Sequence, residues 1–108
     1  MRDASPFVLV LTTWPGDRDG TAFARILVEE RLAACVSILE PMVSVYRWQG
    51  AIEQSSERQV IIKTTTAQVD ALTTRVSALH PYDVPELLVL PAGQASEAYL
   101  EWVAESVG

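Results

Sequence analysis

The chain carries one imidazole and one thiol, and two stretches set carboxylates beside other groups that could do chemistry. His80 stands in "HPYDVPELLVLP", with Tyr82, Asp83 and Glu86 close behind it. A histidine followed by carboxylates at this spacing is a donor set for a divalent ion, or an acid–base group. A histidine at a helix end also hydrogen-bonds the last carbonyls of that helix, and both readings stand. One histidine per chain cannot close a transition-metal site alone, so copies from several chains would have to converge. Cys35, in "LAACV", reads either as a soft metal ligand or redox-sensitive thiol, or as a small buried apolar side chain. The chain has no Gly-rich phosphate loop, no CxxC, no HExxH and no Ser–His–Asp order. His80 or Glu57 would serve as a base in an enzyme, but no activated nucleophile accompanies them, so binding ranks ahead of catalysis.

The second stretch is a hairpin. "CVSILEPMVSVYRW" is rich in β-branched and aromatic residues and is followed by "QG" and then "AIEQSSERQVIIKTT". A two-residue turn at Gln49–Gly50 sets Trp48 against Ala51, Tyr46 against Glu53 and Met42 against Glu57. Side chains alternate along a strand. One face therefore carries Met42, Ser44, Tyr46, Trp48, Glu53, Ser55 and Glu57, with Lys63 further along. This is either ordinary cross-strand packing under a solvated rim, or a surface that meets another subunit and lines a cleft there. Pro41 cannot donate to a ladder, which predicts a bulge or an edge and shifts only the far end of the register.

The remaining elements must hold these groups in place. "FVLVLTT" (Phe7–Thr13) reads as a central strand buried on both faces. After the turn "WPGDRDG", a helix runs from about Thr21 to Glu30, capped by Asp19 or Thr21, with Phe23, Ile26 and Leu27 inward. A second helix, with Thr66 as N-cap, places Val69, Leu72, Val76 and Leu79 on one stripe and ends at Pro81. "ELLVL" (Glu86–Leu90) is a fourth strand stopped by Pro91. Ser96 opens a last helix with Tyr99, Leu100 and Val103 inward and Trp102 on its flank.

The order predicts an α+β fold: a ferredoxin-like βαββαβ unit, an extra C-terminal helix, and an overlong hairpin between the second and third strands. An open sheet face and an arm too long for one small body both need cover. Oligomerisation supplies it most simply.

Composition bounds the partners. The 108 residues suit one domain spanning 1–108, and the hydrophobic fraction of 49% is that of an ordinary globular chain. The net charge is −6 and the eight Lys and Arg are scattered, which argues against a nucleic-acid partner. An acidic surface favours solubility and attracts cations. A single cysteine excludes an intrachain disulfide and fits a reducing cytosol. "FVLVL" is too short for a signal-peptide core, and no stretch approaches a membrane span. The expectation is a soluble cytoplasmic protein with no membrane partner.

Five stretches in order, "RLAACVSI", "YRWQGAIEQSSE", "IIKTT", "HPYDVPELLVLP" and "YLEWV", together resemble the CutA family of divalent-cation tolerance proteins. The resemblance runs from about Phe7 to Val103. It implies a cytoplasmic homotrimer in which the long hairpins swap across subunits, similar in form to the nitrogen-regulatory (PII-like) signal proteins. By matching positions it implies inter-subunit clefts lined by Cys35, Trp48, Glu57, Lys63, His80, Tyr82 and Glu86. It implies a divalent metal, chiefly copper, held by a Cys late in the first strand and a His-His pair before Pro-Tyr. Here those positions read Thr12 and Leu79–His80, which leaves His80 as the one matching metal ligand, helped by carboxylates. The alternative is a PII-like signalling or adaptor trimer. Lys63, Tyr82 and Trp48 would then take a small anion or metabolite.

Overall fold

The computed structural model describes residues 1–108, and it shows a mixed α+β chain of one main sheet with three helices. The strands are β1 (Arg2–Asp3), β2 (Phe7–Pro15), β3 (Cys35–Ile38), β4 (Met42–Trp48), β5 (Ala51–Thr65), β6 (Leu88–Pro91) and β7 (Gln94–Ala95). The helices are α1 (Thr21–Glu29), α2 (Val69–Leu79) and α3 (Glu97–Ser106). The main sheet runs in the order β3-β5-β2-β6, with β4 pairing the outer half of β5, and every pairing is antiparallel.

β2 is the interior strand expected of a continuous apolar run, and it continues to Pro15. Its even residues Val8, Val10, Thr12 and Trp14 face the two helices and are buried with Val60 and Ile62 of β5. α1 adds Phe23 and Leu27, and α2 adds Leu72 and Val76, with Val69 and Leu79 packed at the edge of the same core. Asp19 accepts from the Thr21 amide at 2.9 Å and from its hydroxyl at 2.7 Å, so the carboxylate caps α1 from just before its first turn. α2 is entered differently from expectation. Thr66 sits inside a short 3₁₀ turn (Thr66–Gln68), with its amide bonded to the Pro6 carbonyl, and no side chain caps Val69.

β7 and β1 form a small separate sheet that the sequence pattern did not announce. α3 begins at Ser96, whose Oγ accepts the Tyr99 amide at 3.4 Å. It buries Leu100 and Val103 against Ala4, Phe7 and Ala34. Tyr99 does not turn inward: it is 40% exposed and stands beside Trp102 with ring centroids 5.6 Å apart. No helix is long and apolar enough to cross a membrane.

The hairpin follows its predicted register, with Trp48 opposite Ala51, Tyr46 opposite Glu53 and Met42 opposite Glu57. Gln49 and Gly50 both have positive φ, 50° and 82°, the backbone of a tight turn whose twist matches its strands. At the other end, Ile38 opposes Val60 while Met42 opposes Glu57, so Leu39–Pro41 holds one more residue than β5 does across the same span. That bulge is where Pro41 sits. β4 is almost wholly exposed, and the molecule measures 44 × 26 × 24 Å because the arm projects from it. The odd-numbered face of the sheet is also uncovered in part: Leu88 is 54% and Leu90 44% exposed, next to half-buried Leu9, Leu11 and Ile61.

Candidate functional site

Glu57 marks the point where β5 changes partners. On one side it opposes Pro15 at the end of β2, and on the other it opposes Met42 at the start of β4. The strand leaves the body of the protein here and becomes the arm. Gly16 makes the close approach possible: its amide bonds the Ser56 carbonyl at 2.9 Å, and a Cβ on it would collide with Ser56.

A cleft of about 620 Å³ opens at this junction. One wall is the arm face carrying Met42, Ser44, Tyr46 and Trp48, and the floor is Glu57 with Thr13 and Gln59. The opposite wall is the segment between α2 and β6, from Tyr82 to Glu86. Pro81 and Pro85 stiffen this segment, and each biases the residue before it toward an extended backbone. Gln59 ties this second wall to the floor, because its Nε2 donates to the Thr12 carbonyl at 2.8 Å and to Glu86 Oε2 at 3.0 Å.

The electrostatics have one sign. Glu57, Asp83 and Glu86 line the cleft and no Lys or Arg does. Glu57 is only 9% exposed, and the ion pairs of the chain, Arg2–Glu97, Arg25–Glu29 and Arg75–Glu30, all lie elsewhere. Burial pushes the Tyr82 hydroxyl up to about 12, with the Glu57 charge adding to it. The phenol therefore stays neutral at any physiological pH.

Of the residues singled out in the sequence, Trp48, Glu57, Tyr82 and Glu86 meet in this cleft. Cys35 and Lys63 do not. They oppose each other on the open sheet face, and Lys63 lies six residues along β5 from Glu57, about 20 Å at ~3.3 Å per residue. Within one chain Lys63 does not reach Trp48 and Tyr82, so the anion reading requires residues from different chains to come together. Gln59 and Thr13 were missed. The signal for Gln59 was present, since it shares the odd-numbered parity of Glu57 on β5.

His80 lies behind the cleft wall rather than in it. It is 8% exposed, and its Nε2 donates to the Thr13 carbonyl at 2.6 Å. Its Nδ1 accepts the Tyr82 amide at 3.0 Å. A carbonyl only accepts and an amide only donates, so these two partners fix the tautomer. The ring packs edge-on to Trp14 at 5.3 Å and against Tyr82 at 4.8 Å. Both nitrogens are occupied, and neither has a lone pair free for a metal. Thr12 is fully buried beneath the helices, and no three His, Cys, Asp or Glu side chains of the chain are grouped to hold an ion. The set Thr12, Leu79 and His80 thus does not fit a copper centre.

Comparison with known proteins agrees along nearly the whole chain. Residues 8–106 match the family described as CutA1 divalent ion tolerance protein. The Divalent-cation tolerance protein CutA of Thermus thermophilus is 45% identical over 100 residues, covering 93% of this chain and 97% of that protein. Protein CutA, chloroplastic, of Arabidopsis thaliana is 43% identical over 101 residues, and the match spans 94% of this chain but 56% of that longer protein. The solved structure of the divalent cation tolerance protein Cut A1 from Thermus thermophilus superposes with a TM-score of 0.90 at 44% identity, covering 94% of this chain and 99% of that one.

Proposed function

This chain belongs to the CutA1 divalent ion tolerance family, and we propose that it serves divalent-cation tolerance as a cytoplasmic homotrimer that binds its ligand in the Glu57 cleft and carries out no reaction there. The observation that carries this reading is the cleft itself: a buried carboxylate at the foot of the arm, hydrogen-bonded to Tyr82 and without an ion-pair partner in the chain, with two further carboxylates on the opposite wall. A site of that sign selects cations. The ferredoxin-like arrangement is supported by the β3-β5-β2-β6 order. The trimer is supported by surface that wants cover, namely Leu88 and Leu90 on the sheet and Val43, Val45 and Ile52 on the arm, the last three at least 65% exposed.

A direct contact with copper or another divalent ion would draw on the carboxylates, and on more than one chain, because His80 is committed to Thr13 and Tyr82. A second reading is a signalling or adaptor trimer, PII-like by analogy alone, that takes a small molecule in the cleft. About 620 Å³ is the size of a small-molecule site.

Calorimetric titration of chelator-stripped protein with copper, zinc and manganese tests the metal reading, with Glu57→Gln as the control. Saturable binding that Glu57→Gln weakens supports it. Affinity no tighter than about millimolar for all three, worth ~4 kcal/mol, refutes it and leaves the small-ligand reading. Light scattering should show one species of about 36 kDa, three chains of 11.9 kDa. A monomer would overturn the trimer.

A further inference from the structure

We propose that a second pocket, on the opposite face of the sheet from the Glu57 cleft, receives a small oxyanion, a phosphoryl or carboxylate group bound by Arg58 at the N-terminus of α1. The inference stands apart from the cleft reading, because the two sites share no residue.

The pocket measures about 330 Å³ and is walled by the loop Gly16–Gly20, Thr21, Ile38 and Arg58. Arg58 follows Glu57 along β5, and alternation turns it to the helix side of the sheet. Leu88 and Leu90, the exposed sheet surface that association would cover, lie on the other side.

Two unpaired donors carry the inference. Arg58 makes no ion pair in the chain, and its Nε is sealed from water without a hydrogen bond. Trp14 opposes Arg58 across β2 and β5, so the two side chains leave the sheet on the same face. The Trp14 Nε1 is also sealed and unpartnered, in a residue only 8% exposed. A Cβ placed on Gly20 would lie 3.2 Å from Trp14 Cδ1, the ring atom bonded to that nitrogen. The indole edge that bears the donor therefore reaches the pocket's rim. Buried N–H groups without partners are rare and costly, and a desolvated guanidinium most of all. Both groups only donate. A cation offers them nothing, and an oxyanion offers acceptors and charge together.

The helix adds donors at the same end. Gly20 is the N-cap of α1 and has no side chain to give. Asp19 takes the Thr21 amide, and no group of the chain takes the amides of Ala22 and Phe23. The positive end of the α1 dipole thus meets Arg58 at one pocket. Asp17 and Arg18 stand in solvent, where salt screens them, and Asp19 is committed to the Thr21 amide and hydroxyl. Arg58 is the charge that burial holds in place.

The test uses the whole protein in its native assembly at neutral pH. Sodium phosphate and sodium acetate are titrated against sodium chloride at matched ionic strength, and the indole and amide N–H signals of isotope-labelled protein are followed by NMR. The expected result is a saturable shift of the Trp14 indole and of the Ala22 and Phe23 amides with at least one oxyanion, at a Kd of about 1–10 mM. Binding should be about tenfold weaker or more in Arg58→Met. The stronger of phosphate and acetate tells a phosphoryl site from a carboxylate site. The same variant reports on the ligand-free state. Removing an unpaired buried charge should leave the melting temperature unchanged or raise it, and phosphate should raise that of the parent protein alone. A fall in melting temperature or dissociation of the assembly in Arg58→Met would show that a neighbouring chain already pairs Arg58, and would overturn the inference. Equal shifts with chloride, or no saturable shift below about 50 mM oxyanion, would overturn it on the parent protein alone.

Discussion

Replacing His80 should unfold the protein before it touches any ligand. In His80→Ala the Thr13 carbonyl and the Tyr82 amide lose their partners at 2.6 and 3.0 Å, in a place where the histidine was only 8% exposed. Each orphaned buried group costs about 1–3 kcal/mol. The ring also leaves a hole between Trp14 and Tyr82. Water entering the hole offsets part of this, so the expected loss is about 3–4 kcal/mol. For a chain of this size that is a fall in Tm of roughly 12–25 °C. His80→Phe keeps the ring volume but neither hydrogen bond, and should lose about 2 kcal/mol. The assay is urea denaturation of all three proteins at one fixed protein concentration, since association contributes to apparent stability. Losses below about 1 kcal/mol in both variants would refute the structural role. Intact stability with abolished copper binding would show His80 to be a ligand after all. The same arithmetic makes His80→Ala a poor control for metal binding, because a destabilised cleft loses every ligand.

Alkaline pH should weaken the fold through Tyr82. Its folded value, about 12, lies above the unfolded value of 10.0, so the folded state keeps a proton that the unfolded state releases. Stability is then complete below pH 10 and falls as pH rises from 10 toward 12. The gap corresponds to roughly 2–3 kcal/mol, cut to about 1 by the solvent that reaches this half-buried ring. Urea melts between about pH 9 and 11.5 should show the slope, and Tyr82→Phe should flatten it. Gly16→Ala places a Cβ against Ser56 Oγ and 2.9 Å from the Ser56 carbonyl carbon, and should cost about 1–3 kcal/mol. A neutral result in thermal melts would show that β5 can yield there. Gln49 has φ 50°, so Gln49→Asn should stabilise the arm by about 0.5 kcal/mol. A lower melting temperature would contradict the turn geometry.

The hairpin was legible because its causes are local. Gln49–Gly50 fixes the twist, alternation fixes the faces, and Pro41 interrupts the ladder where it must. The α2 stripe was legible for the same reason, since helical spacing alone selects Leu72 and Val76. The location of His80 was not. The extended backbone at His80, φ −75° and ψ 138°, turns the ring under Trp14, and its partner is a carbonyl on a strand distant in sequence. Nothing in "HPYDVP" names that carbonyl. Lys63 shares the parity of Glu57, but parity says nothing of distance along a strand, and within one chain the two lie far apart. Tyr99 fits a helical stripe and is still exposed, because α3 is narrow in its contact and only Leu100 and Val103 reach the body.

The extra residue at Leu39–Pro41 works as a phase shifter. Upstream of it, odd-numbered Cys35 shares a face with Lys63 on β5, while downstream even-numbered Met42 shares that same face with Glu57. Without the insertion, continuing the upstream register would rotate Tyr46 and Trp48 to the back of the arm, away from Glu57. With it, two rulers run independently: the sheet sets the frame of the body and the Gln49–Gly50 turn sets the frame of the arm. The mismatch is absorbed in three residues. Such an arm can be lengthened by matched pairs of residues near its tip while the cleft below keeps its composition, and the reach of the hairpin becomes a quantity that varies separately from what the cleft recognises.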